Sequence, residues 1–103
     1  MKRLTKIFNN KYFIDAENVQ KEQNGYAGDA IEYLGELENV YEEFESKLEK
    51  IETEMEKYRI SGKQKTIIFR ELMGKKVMTK SILDVFMEKC KYLKNTNMQG
   101  VEN

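Results

Sequence analysis

Nine apolar residues, Ala30, Leu34, Leu37, Tyr41, Phe44, Leu48, Ile51, Met55 and Tyr58, follow one another at alternating steps of four and three, and no other feature constrains this chain as much. That spacing is the signature of a helix whose apolar seam repeats every seven residues. Almost every other position between Glu36 and Lys57 is charged or polar, so the seam is narrower than the apolar face of an ordinary globular helix. It predicts one long helix over Asp29 to Tyr58. Asp29 suits the positive end of the helix dipole, and Ser61-Gly62 supplies the stop, with Gly62 at the left-handed position. Gly35, inside the helix, costs about 1 kcal/mol relative to Ala, so either something approaches closely there or the sequence can spare the loss. A helix with so narrow a stripe needs a helical partner.

The charge distribution says which partner. Lys and Arg number 18, as do Asp and Glu, so the net charge is zero and the chain as a whole gives no argument for nucleic acid. The halves differ, however. Glu36 to Glu56 holds nine Glu against Lys47 and Lys50, whereas Lys57 to Lys94 holds eleven basic residues against Glu71, Asp84 and Glu88. Folding back would set opposite charges along one seam, which favours an antiparallel hairpin over parallel pairing of identical acidic segments. Within the basic half, Ile67, Ile68, Phe69, Leu72 and Met73 form a first apolar cluster. Gly74-Lys75-Lys76 interrupts it, and Thr79 offers an N-cap before Ile82, Leu83, Phe86, Cys90 and Leu93. The pattern predicts a break near Gly74 to Met78 and leaves one helix or two open, with a short extended segment at Thr66 to Phe69 as a further option.

Ahead of the helix, Lys6-Ile7-Phe8 and Tyr12-Phe13-Ile14 flank Asn9-Asn10, residues that tolerate the positive φ of a tight turn, which predicts a small β-hairpin. Such a hairpin is marginal alone and must lean on the helices or on a partner. Asn18 to Gly28 reads as a polar loop. The expected fold is mainly α: a long antiparallel helical hairpin, Asp29 to Tyr58 against Thr66 to Leu93, with a small N-terminal β-hairpin. The expected organisation is a single domain with residues 1–28 as hairpin and loop, 29–94 as helical hairpin and 95–103 as a flexible tail. The absence of Pro leaves the helices uninterrupted. A mean hydropathy of −0.74 is low, but the periodic apolar residues argue against disorder. One cysteine and no apolar leader or membrane span predict a soluble protein of a reducing cytoplasm.

Little in the chain can carry chemistry. Without His and with one Cys it has no common zinc set and no imidazole base, so no cofactor, metal or enzymatic activity is expected. The carboxylates of Glu36 to Glu56 lie on a solvated helix face and lack the apolar surroundings that turn one of them into an acid. Ser61-Gly62-Lys63-Gln64-Lys65-Thr66 lacks the first glycine of a phosphate loop and reads as an interhelical turn. Cys90 shares a stripe with Phe86 and Leu93, as a buried, inert thiol does. The candidate partner-binding residues are Lys63, Lys65, Arg70, Lys75, Lys76 and Lys80, set around Ile68, Phe69 and Met73, where they can grip nucleic-acid phosphates, grip an acidic protein face, or merely offset the acidic helix. A helix-turn-helix over residues 66–91, with Thr79 to Lys91 as recognition helix, is the nucleic-acid alternative. Two helices bury only one seam, so Leu34, Leu37, Tyr41, Phe44, Leu48, Ile51, Met55 and Tyr58 are candidate oligomer contacts, with a homodimer in a four-helix arrangement expected.

Four segments carry a resemblance. Met1-Lys2-Arg3-Leu4-Thr5-Lys6 and Ala30-Ile31-Glu32-Tyr33-Leu34-Gly35-Glu36-Leu37-Glu38, together with Gly62-Lys63-Gln64-Lys65-Thr66 and Phe69-Arg70-Glu71-Leu72-Met73, resemble blocks of small uncharacterised accessory proteins of phages and prophages of Gram-positive bacteria. The resemblance implies no catalytic residues. It implies a context in which compact proteins bind and disable a host factor, such as a CRISPR nuclease or its guide RNA. The expected partner is accordingly a host protein or ribonucleoprotein, with nucleic acid reached through the basic segment, and no membrane.

Overall fold

A computed structural model describes residues 1–93, and the expected tail over 95–103 lies outside the described residues. The chain is mainly helical, with two long helices packed antiparallel and a small N-terminal β-hairpin. Strands β1 (Thr5–Phe8) and β2 (Lys11–Ile14) pair antiparallel in the register Ile7 to Tyr12 and Lys6 to Phe13. Asn9 and Asn10 turn between them at φ 51° and 62°, the doubly left-handed geometry whose twist matches a two-residue hairpin.

The segment expected as a polar loop is instead a second hairpin. A 3-10 turn at Ala16–Asn18 leads to β3 (Gln20–Glu22), which pairs antiparallel with β4 (Gly25–Ala27). These three-residue strands have no apolar alternation to announce them. Gly28 then brings the chain close to Asn18. At its φ of +125° a Cβ would lie 2.5 Å from the Asn18 carbonyl oxygen, so only glycine fits. The Gly28 carbonyl accepts from the amides of Ile31 and Glu32, which starts the long helix.

Helix α1 (Asp29–Ile60) runs two residues past the expected Tyr58. Its end is a Schellman turn: the Lys63 amide donates to the Tyr58 carbonyl at 2.7 Å and the Gly62 amide to that of Arg59 at 3.0 Å, with Gly62 at φ 71°. At Thr66 the hydroxyl oxygen accepts from the Phe69 amide at 3.2 Å and caps α2 (Ile67–Lys89). The expected break near Gly74 to Met78 is absent, because α2 is one continuous helix. A single helical glycine costs only about 1 kcal/mol, and the seam continues across it: Phe69, Leu72, Lys76, Thr79, Leu83 and Phe86 keep steps of three and four. Thr79 caps nothing and is 2 % exposed inside that seam. Helix α2 ends at Lys89, where Cys90 turns extended, and residues 91–93 are helical again up to the expected Leu93.

The chain divides into two compact units, Met1–Val40 and Tyr41 onward, and α1 runs through both. In the second unit Ile51, Met55 and Phe69 form the core, joined by Tyr58 and Leu72. Three contacts fix the antiparallel register. The rings of Tyr41 and Phe86 meet edge to face at 5.9 Å, Lys76 reaches Glu52 at 3.7 Å, and Tyr58 packs against Phe69 at 6.4 Å, so each step along α1 is matched by a step back along α2.

Candidate interaction surfaces

The acidic and basic halves do meet, through few pairs. Lys76 is a seam residue, and its stem lies in the interface while its ammonium reaches Glu52. Lys80 is held by Asp84 on its own helix at 3.0 Å. Among the described residues Lys63, Lys65, Arg70 and Lys75 make no ion pair; the first two sit in the connection, and the others stand five residues apart, or about 140° around α2. The six candidate residues therefore do not converge on one patch. Arg59, outside that set, lies 5.6 Å over the Phe69 ring and pairs with Glu56 at 3.1 Å.

The seam divides as well. In the second unit Tyr41, Ile51, Met55 and Tyr58 pack against α2 or into the core it shares, with Met55 only 1 % exposed, while Phe44 and Leu48 are half-buried. Burial raises the pKa of the Tyr41 phenol, assisted by Glu45 and Asp84. Leu34 and Leu37, in the first unit, are each 54 % exposed.

Those two leucines belong to a surface built from the first unit's own elements. Thr5 and Ile14, paired across β1 and β2, line an open cleft of about 390 Å³ together with Leu4, Ala30, Leu34 and Leu37. Arg3 is the cleft's one charged side chain, and its guanidinium donates to the Thr5 carbonyl at 3.2 Å. A volume of that size, with mostly apolar walls and one charged side chain, suits a few side chains of a partner. On the other face of the hairpin Phe8 and Phe13 meet edge to face at 6.4 Å while both remain exposed. Beside them Lys6 pairs with Asp15 at 2.9 Å, and that hydrogen bond raises the lysine pKa. Ala30 is the sole buried apolar residue of the first forty. This cleft went unread in the sequence, although the apolar residues at Leu4, Ile14, Leu34 and Leu37 were its signal.

Among the described residues no group of three or more His, Cys, Asp or Glu converges as a metal site requires, and no helix is long and apolar enough to cross a membrane. Compared with family models, with curated proteins and with solved structures, the chain matches none.

Proposed function

We propose that the protein is a non-enzymatic binding protein that acts by docking the apolar surface of its first forty residues on a host macromolecule. The single observation behind this reading is that this unit buries Ala30 alone while exposing Ile7, Phe8, Tyr12, Phe13, Leu34, Leu37 and Val40. Apolar side chains left exposed in this number mark interaction surfaces, the cleft beside Leu34 and Leu37 and, on the other hairpin face, the Phe8–Phe13 pair. The resemblance to phage and prophage accessory proteins makes a bacterial defence factor the kind of target, for instance a Cas nuclease with its guide RNA, met in the host cytoplasm. The nucleic-acid regulator has less support, because α2 is continuous and offers no turn before a recognition helix.

The test is inhibition of purified Cas nuclease–guide complexes from Gram-positive hosts, in cleavage assays with the wild type and with the Leu34→Glu/Leu37→Glu double variant. Inhibition that titrates with the wild type and drops at least about tenfold in the variant is expected. Equal inhibition by both would clear the first unit. Binding of duplex DNA by the protein alone, with steep salt dependence, would favour the regulator.

A further inference from the structure

Helix α2 has a second face. Ile67, Gly74, Met78, Ser81 and Val85 follow at steps of seven, four, three and four, so they share one stripe, opposite the seam residues Phe69, Leu72, Thr79 and Leu83. All five are exposed, Met78 at 67 %. Two details suit this stripe to close contact. A Cβ on Gly74 would meet nothing within 4 Å, so no packing inside the chain explains a glycine that weakens the helix. The Ser81 hydroxyl already donates to the Val77 carbonyl at 2.7 Å, so it can leave water without losing a partner.

We infer that this face pairs with the same face of a second copy, antiparallel across a two-fold axis lying between Thr79 and Lys80. That register sets Gly74 opposite the partner's Val85 and Met78 opposite the partner's Ser81, large against small at both levels, with Ile67 beyond the end of the partner helix. The flanks specify the same register. Arg70 and Glu88 border the stripe on one side, and Glu71 and Lys89 border it on the other. In an antiparallel two-fold pair each flank meets its own copy, so Arg70 comes beside the partner's Glu88 and Glu71 beside the partner's Lys89. Among the described residues none of these four makes an ion pair within the chain. Four complementary pairs therefore surround a stripe that interdigitates from Gly74 to Val85, about 17 Å along the helix.

This inference stands apart from the reading of the first forty residues, since the two surfaces share no residue. Sedimentation equilibrium of the full chain from low to high micromolar concentration tests it, with circular dichroism to check each variant's helices. The expected wild-type mass at high concentration is twice 12.2 kDa. Met78→Lys should weaken the dimer at least about tenfold, and Gly74→Gln should weaken it while raising the monomer's thermal midpoint, because glutamine is the better helix former. Arg70→Glu should weaken it severalfold, and the Arg70→Glu/Glu88→Arg double swap should restore it, an outcome peculiar to this register. A wild type that stays at 12.2 kDa, a dimer indifferent to Met78→Lys, or a double swap no better than the single one would overturn the inference.

Discussion

The first forty residues and the α1–α2 pair solve the same problem in opposite ways. In the pair, Ile51, Met55, Phe69, Thr79 and Leu83 are buried where the two helices meet. In the first unit, two short hairpins and the opening turns of α1 bury Ala30 and leave most of their aromatic and aliphatic side chains in solvent. The contrast separates stability from recognition: one region has a core of its own between its two helices, and the other leaves nearly all its apolar surface uncovered. A single helix runs through both, and its heptad seam is open to solvent at Leu34 and Leu37 but buried at Ile51 and Met55.

Substitutions should reproduce that contrast, beginning with the largest effect on stability. Met55→Ala, at the most buried side chain, should cost about 2 to 4 kcal/mol in urea denaturation, because it opens a cavity where the helices meet. A cost below about 1 kcal/mol would show that the seam is loosely packed. Thr66→Ala removes the hydroxyl that caps α2 and should cost about 1 kcal/mol, with Thr66→Ser recovering most of it. By contrast Leu34→Glu/Leu37→Glu should shift global stability by no more than about 0.5 kcal/mol per site, because both positions are open to solvent. A large loss there would mean that the first unit's surface is structural.

The smallest effect concerns pH. The Tyr41 phenol is raised by burial between the helices, so the unfolded chain releases that proton first as pH climbs. Its contribution is complete below pH 10, the ordinary tyrosine value, and is lost as pH rises from there through the folded-state value. Tyr41→Phe should flatten that part of the alkaline decline, as read from urea midpoints. An unchanged slope would place the ring outside the interface.

Much of the fold was legible in the residues. The heptad steps from Ala30 to Tyr58 placed α1, Ser61-Gly62 placed its stop, and Asn9-Asn10 placed the first turn, because each position demands a geometry that few residues supply. Gly74 is a break by local propensity alone, but the tertiary seam carries α2 across it, and a buried threonine such as Thr79 is indistinguishable in sequence from a capping one. Gln20-Lys21-Glu22 gave no strand signal because both of its faces are solvated. The candidate sites were less legible. Basic residues are easily counted, but their faces are not: Lys76 turns out to belong to the seam and Lys80 to an intrahelical pair. The exposed hairpin aromatics and the uncovered leucines were visible individually, and only folding sets Thr5 and Ile14 beside Leu34 and Leu37.

Amide hydrogen exchange of the full chain, followed residue by residue, bears most directly on the division between a self-sufficient helical pair and an open recognition surface. Amides from Leu48 to Tyr58 and from Leu72 to Leu83 should exchange only through global unfolding, while those of β1 to β4 exchange through local opening at little cost in free energy. Strand amides as protected as those around Met55 would contradict the account, because the first forty residues would then hold a core of their own.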